Sequence, residues 1–121
     1  MATALVVDDS RMDLGMITSC LAKNGIATIT AENGEQAIEI LKSSQKPDLI
    51  ILDVVLPGES GFQICRKLKA DTETSKIPVI ICSTKGTEMD KFWGLKQGAD
   101  AYLPKPVQDD ELLQTVHKLL K

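Results

Sequence analysis

The sequence has few of the side chains that zinc sites and nucleophilic enzymes require. It contains a single histidine, His117, and three cysteines without C-x-x-C spacing. A lone histidine cannot build a zinc site or a Ser-His-Asp triad without partners. Cys20, Cys65 and Cys82 lie within apolar patterns. This placement favours small buried hydrophobic side chains over metal or redox ligands.

Long hydrophobic runs and an excess of positive charge are also missing. The longest apolar stretches, "LIIL" and "PVIICS", are far shorter than the ~20 residues of a membrane-spanning helix. The net charge of −3 argues against the basic surface that nucleic acids and anionic lipids attract. No positively charged leader precedes the first apolar segment. We therefore expect a cytoplasmic protein with no nucleic-acid or membrane partner.

Short apolar runs alternate with helical patterns along the 121 residues, which suffice for one domain, 1–121. Continuous apolar runs are typical of strands buried on both faces of a parallel sheet. Alternating strands and helices imply right-handed crossovers, so the predicted class is α/β, a doubly wound (βα)5 fold. The second run, Ala27–Thr30, has the weakest apolar pattern and suits an edge strand. The predicted strands are Ala4–Val7, Ala27–Thr30, Leu49–Leu52, Val79–Cys82 and Ala101–Leu103.

Charged and hydroxyl side chains follow the predicted strands. In open α/β sheets, ligands bind outside the carboxyl ends of the strands. Carboxylates gathered there would repel one another unless a cation neutralised them, and Mg²⁺ prefers carboxylate and phosphate oxygens. The sequence therefore predicts a magnesium site suited to phosphoryl chemistry. The residues at the strand ends are Asp8 and Asp9, Asp53, Ser83 with Thr84, and Lys105.

Four segments carry a resemblance to a known family: "VVDDS", "PDLIILDVVLPGESGFQICRKLK", "IPVIICSTKG" and "GADAYLPKPV". In this order and spacing they resemble the receiver domain of two-component response regulators, of the stand-alone type related to chemotaxis regulators. The resemblance spans the whole chain. It implies the flavodoxin-like version of the fold, with a five-stranded parallel sheet in order 2-1-3-4-5.

The resemblance also implies the roles of the strand-end residues. Asp53 would accept a phosphoryl group from a histidine kinase or phosphotransfer protein. Asp8, Asp9 and Asp53, with the backbone carbonyl of Val55, would hold Mg²⁺. Lys105 would supply a second positive charge, and the family suggests a cis bond to the proline that follows it. Val55 is apolar where other members carry a polar side chain, which favours a long-lived phosphoryl group.

A conformational switch and a surface that docks a partner are further predictions. Ser83 resembles the switch hydroxyl, and Tyr102 resembles the aromatic residue whose position follows it. Trp93 is predicted to belong mainly to the core. Met12 and Met16 lie four residues apart, away from the apolar stripe of the first helix, and are predicted to dock a partner.

The predicted function is that of a single-domain response regulator, a monomer or an activation-dependent dimer, that signals to a downstream target protein. It would catalyse only its own phosphorylation and dephosphorylation. The alternatives are a phosphorelay intermediate or phosphate sink, and a phosphorylation-independent interaction module. A phosphatase with an aspartyl nucleophile would need a second acid where Val55 stands. A flavodoxin would need a phosphate-cradling loop where "DDSRMD" is acidic. The pathway, whether chemotaxis, motility or pilus function, stays open.

Overall fold

The protein folds as one parallel sheet with helices on both faces, described here by a computed structural model for residues 2–43 and 46–120. Over these ranges, no helix combines the length and the apolar character needed to cross a bilayer. The elements are β1 (Thr3–Val7), α1 (Arg11–Ala22), β2 (Ala27–Ala31), α2 (Gly34–Leu41), β3 (Leu49–Leu52), α3 (Gly61–Ala70), β4 (Val79–Ser83), α4 (Glu88–Lys96), β5 (Ala101–Pro104) and α5 (Asp109–Leu119).

The strands are ordered β2-β1-β3-β4-β5, and every pairing is parallel. This order confirms the predicted doubly wound, flavodoxin-like (βα)5 topology. The predicted strands agree with the observed ones to within one residue at each end. β2 lies at an edge and is largely accessible to solvent, as its weaker apolar pattern predicts. β3 and β4 are buried along their whole length.

Alternate residues of each central strand enter different cores. Leu5 and Val7 of β1 join one cluster, and Ala4 and Val6 join the other, because successive side chains of a strand point to opposite faces. The first cluster contains apolar side chains of α2 and α3, and the second those of α1 and α5. Both faces of the sheet are thus covered, so the strand ends are left as its accessible edge.

The three cysteines are buried and unpaired. Burial raises the pKa of Cys65 to about 11 and that of Cys82 to about 12. Both thiols are therefore protonated at neutral pH, and a thiol in this form is a poor nucleophile and metal ligand. Their burial confirms the prediction that the cysteines serve as small hydrophobic side chains.

Helix α4 departs from the prediction that Trp93 belongs to the core. Trp93 is 50% exposed, and Met89 and Phe92 are also exposed. The inner face of α4 carries Gly94, where a Cβ would lie only 2.6 Å from the ring of Tyr102. Gly94 has no side chain, so α4 can pack closely against β5 on this face. The bulky residues of α4 therefore lie on its outer face.

Candidate functional site

Asp8 and Asp53 lie side by side because β1 and β3 are neighbours in the sheet. The backbone N–H of Asp8 donates to the carbonyl of Ala31, and that of Asp53 donates to the carbonyl of Val7, each at 3.0 Å. The sheet hydrogen bonds therefore continue one residue past the strands and fix both backbones. Asp8 is 2% exposed and Asp53 is 7% exposed, so both carboxylates are removed from bulk water.

Asp9 completes a group of three carboxylates. One carboxylate oxygen from each of Asp8, Asp9 and Asp53 lies within 4.8 Å of the other two, and Asp9 is exposed. Three hard oxygen donors that converge in this way fit Mg²⁺, which commonly keeps several waters and needs few protein ligands. The structure thus brings together the three predicted carboxylate ligands at an edge that solvent can reach.

The carboxylate of Asp53 is oriented by the backbone that follows it. Its Oδ1 accepts the N–H groups of Val54 at 2.7 Å and Val55 at 3.3 Å. Gly61, the first residue of α3, donates its N–H to the carbonyl of Val54 at 2.8 Å. A Cβ at position 61 would lie 2.0 Å from the carbonyl oxygen of Asp53. Position 61 therefore has to be glycine for α3 to hold this loop in place.

Lys105 enters the acidic group from the end of β5. Its Nζ lies 2.6 Å from Asp8 Oδ2, 2.9 Å from Asp13 Oδ2 and 3.2 Å from Asp53 Oδ2. The side chain is 8% exposed, and its peptide bond to Pro106 is cis, as the family resemblance implies. An ammonium group has three donors, and here each of them has a carboxylate acceptor.

The electrostatics of the site follow from burial and from these contacts. Burial raises the pKa of Asp8, although the hydrogen bond from Lys105 acts in the opposite direction. For Lys105, burial favours the neutral amine, but the hydrogen bonds to Asp8 and Asp13 and the charges of Asp53 and Asp8 together outweigh it and raise the pKa above its ordinary value. One ammonium thus faces Asp8, Asp13 and Asp53, with Asp9 nearby. Four carboxylates against one ammonium leave an excess of negative charge for a cation to offset.

Asp13 is a site residue that the sequence reasoning missed. It lies in the first turn of α1, where its backbone N–H donates to the side chain of the N-cap residue Ser10 at 3.3 Å. A signal was present, because α1 begins at the same sheet edge as the predicted metal ligands. A carboxylate three residues after an N-cap therefore lies close to whatever that edge binds.

Ser83 and Tyr102 hold the loop after β4 from two sides. Ser83 is fully buried, and its Oγ accepts the backbone N–H of Lys85 at 3.2 Å. The hydroxyl of Tyr102 donates to the carbonyl of the same Lys85. Burial raises the pKa of Tyr102 to about 12, so this hydroxyl remains a donor at neutral pH. The two predicted switch residues are therefore joined through one residue.

Met12 and Met16 are 76% and 52% exposed, which confirms their predicted position on an outer face. With Lys105, Pro106 and other residues they line a cleft of about 210 Å³. Apolar side chains therefore lie next to the lysine of the acidic group. Their role in docking a partner stays a prediction.

The fold and this edge together define a class of signalling domain in which an acidic group, a hydroxyl and a lysine lie at the ends of parallel strands. The chain matches the family model "Response regulator receiver domain" over residues 4–117. It belongs to this family of two-component signalling proteins.

Curated relatives agree with this assignment. The chain is 46% identical over 120 residues to the protein PilH of Pseudomonas aeruginosa, covering 99% of this chain and 98% of PilH. It is 41% identical over 119 residues to the phosphate regulon transcriptional regulatory protein PhoB of the same organism, covering 98% of this chain but 52% of PhoB. The chain thus spans nearly all of PilH and about half of PhoB.

Solved structures share the fold along nearly the whole chain. Chemotaxis protein CheY4 of Vibrio cholerae is 29% identical with a TM-score of 0.90, covering 99% of each chain. The signal receiver domain of a signal transduction histidine kinase from Syntrophus aciditrophicus is 34% identical with a TM-score of 0.91, covering 99% of this chain and 90% of that one. This chain therefore shares the receiver fold with both solved structures.

Proposed function

We propose that the chain is a single-domain response regulator, with 1–121 forming one receiver domain, that accepts a phosphoryl group on Asp53. The donor is a histidine kinase or a phosphotransfer protein, and the reaction requires Mg²⁺. One observation carries the proposal: Asp53 is buried with its Oδ1 held by two backbone N–H groups and its Oδ2 facing Lys105 at 3.2 Å. A buried carboxylate fixed in this way is an oriented nucleophile.

The chemistry asks little of the protein beyond position and charge. A carboxylate oxygen of Asp53 attacks the phosphorus, and the bond from phosphorus to the donor breaks as the new oxygen–phosphorus bond forms. The donor leaves with the electron pair of the broken bond. Asp8, Asp9, Asp53 and the carbonyl of Val55 would hold Mg²⁺, which supplies positive charge to the phosphoryl oxygens. Lys105 supplies a further positive charge.

The switch follows from the hydrogen bonds of Ser83. A phosphoryl group on Asp53 offers strong acceptor oxygens, and the hydroxyl of Ser83 turns to donate to one of them. The N–H of Lys85 then loses its acceptor, the loop shifts, and the contact of Tyr102 with the carbonyl of Lys85 changes with it. Gly94 of α4 lies against the ring of Tyr102, so α4, whose exposed residues include Trp93, would present this change to a downstream target protein.

Several wider assignments remain predictions. The phosphodonor would contact Met12 and Met16, since their cleft reaches Lys105. A cytoplasmic location and a monomer or activation-dependent dimer are expected for a regulator of this kind.

The proposal is tested by incubating the protein with acetyl phosphate and Mg²⁺ and measuring the covalent mass increase of one phosphoryl group. We expect uptake by the wild type, none by Asp53→Asn, and no uptake when a chelator removes the ion. Asp110→Asn, which alters an exposed carboxylate of α5, is the matched control and should behave as wild type. Uptake by Asp53→Asn would overturn the assignment of the acceptor. No uptake by any variant would favour the interaction-module alternative.

The phosphoryl lifetime depends on Val55. Val55 is 50% exposed and lies two residues after the acceptor, and its side chain offers no polar atom to orient a hydrolytic water. Val55→Asn should accelerate dephosphorylation on the order of tenfold, because one added hydrogen bond of about 1.4 kcal/mol in the transition state corresponds to that factor. The measurement is the decay of the phosphorylated protein after the donor is removed.

Val55→Ala is the control for that experiment, since it widens access without adding a polar group. Decay should stay near the wild-type rate in Val55→Ala. An unchanged rate in Val55→Asn would refute the role of residue 55 in hydrolysis. Equal acceleration by both substitutions would show that access, not orientation of water, limits the reaction.

A further inference from the structure

Lys105 has one carboxylate partner that lies outside the predicted metal-binding group. Asp13 contacts the Lys105 ammonium at 2.9 Å, close to the 2.6 Å contact with Asp8. The side chain of Asp13 is 35% exposed, whereas that of Asp8 is 2% exposed. The ammonium therefore lies between buried carboxylates and a carboxylate at the rim of the site.

A divalent cation and Lys105 would compete for the same carboxylates. The ammonium contacts Asp8 and Asp53, and both belong to the group that fits Mg²⁺. Two positive charges placed among the same carboxylates repel each other. As the cation neutralises Asp8 and Asp53, their attraction for the ammonium weakens. The attraction of Asp13 does not weaken in this way, because its carboxylate is outside the group of three.

Asp13 is well placed to keep the lysine close. Its backbone is fixed in the first turn of α1 by the N-cap Ser10, whose own N–H donates to Asp8 Oδ1 at 3.0 Å. The positive end of the helix dipole favours a negative charge at this position. The hydrogen bond from Lys105 also lowers the pKa of Asp13, so Asp13 is ionised at neutral pH.

We propose that Asp13 is a positioning residue that retains the ammonium of Lys105 at the rim of the site when Mg²⁺ binds the carboxylates of Asp8, Asp9 and Asp53. This inference rests on the proposed magnesium site. Asp13 acts through Lys105: it lowers the cost of moving the ammonium away from the cation and keeps it within reach of a phosphoryl group on Asp53. The pairing thus tunes the affinity for Mg²⁺ without supplying a ligand.

The test is a double-mutant cycle on Mg²⁺ affinity, measured by isothermal titration calorimetry on the full chain. The proteins are wild type, Asp13→Asn, Lys105→Met and the double variant, because the cycle isolates the pairwise effect from the loss of one negative charge. We expect Asp13→Asn to weaken Mg²⁺ binding by about threefold to fivefold, the upper part of the range for one partly exposed ion pair. In the Lys105→Met background, the factor by which Asp13→Asn lowers Mg²⁺ affinity should be at least about threefold smaller than in wild type. Asp13→Glu, which keeps the charge, should restore affinity to within about twofold of wild type.

The outcomes distinguish an effect of Asp13 through Lys105 from a general effect of its negative charge. An equal loss of affinity with and without Lys105 would mean that Asp13 acts by its charge alone, and would overturn the proposal. No loss in Asp13→Asn, with binding intact in the wild type, would overturn it as well while leaving the proposed function standing. Absence of Mg²⁺ binding by the wild type would overturn the magnesium site and this inference together. Urea unfolding of each variant, compared at equal Mg²⁺, verifies that the proteins compared are folded.

Discussion

Lys105→Met should destabilise the protein by about 3 kcal/mol in buffer without divalent cations, and Mg²⁺ should restore most of that loss. The substitution leaves Asp8 and Asp53 buried with no positive partner, and removing one member of a buried ion pair is costly because the other charge stays out of water. A divalent cation replaces the missing charge.

The measurement is the free energy of unfolding in urea, with and without millimolar Mg²⁺. Lys67→Met is the matched control, because Lys67 pairs with Glu59 at 2.7 Å but its side chain is 59% exposed. An exposed pair of this kind contributes about 1 kcal/mol or less. Mg²⁺ should have no larger effect on this variant than on wild type. Equal losses in the two variants, or no response of Lys105→Met to Mg²⁺, would contradict the view that Lys105 neutralises the acidic group.

Gly61→Ala should be more damaging, with a loss of stability of at least about 3 kcal/mol and a large decrease in phosphorylation rate. The added Cβ would meet the carbonyl oxygen of Asp53 at 2.0 Å and the Cα of Val54 at 2.9 Å. Both are backbone atoms, so relief requires α3 to move away or the Asp53 loop to shift. Either movement displaces the proposed nucleophile, and an error of about 1 Å in such a group costs about a hundredfold in rate.

Gly15→Ala provides the comparison for Gly61→Ala. Gly15 lies within α1, and a Cβ there would meet nothing within 4 Å. Alanine in a helix is favoured over glycine by about 1 kcal/mol, so this variant should be slightly more stable than wild type and phosphorylated at a normal rate. Urea unfolding and phosphoryl uptake from acetyl phosphate measure both effects. Similar behaviour of the two variants would show that the close approach at Gly61 is not required.

The alternation of apolar runs and helical patterns was sufficient to predict the doubly wound (βα)5 class, while the strand order came from the family resemblance. A run such as Leu49–Leu52, apolar at every position, is incompatible with a half-exposed strand, and it proves to be buried throughout. The strand ends were equally informative, because parallel strands place their carboxyl ends on one edge. Asp8, Asp9 and Asp53 could therefore be predicted to meet without knowledge of any distance.

Two features depended on contacts that the sequence pattern does not contain. The stripe of Met89, Phe92 and Trp93 has helical spacing, but that spacing does not tell which side of α4 faces the sheet. The answer lies with Gly94, whose small size admits the ring of Tyr102. Asp13 was missed for a related reason: its carboxylate gains a role only through Lys105, which lies 92 residues away along the chain.

The position of Lys105 bears on whether the protein stays folded when a metal ion is removed from the site. Many small metal-binding domains fold only with their ion, and chelators unfold them. Here an ammonium of the chain itself already lies among the carboxylates. The folded architecture would therefore persist whether the proposed Mg²⁺ site is filled or empty, and each round of the proposed signalling would begin from the same scaffold.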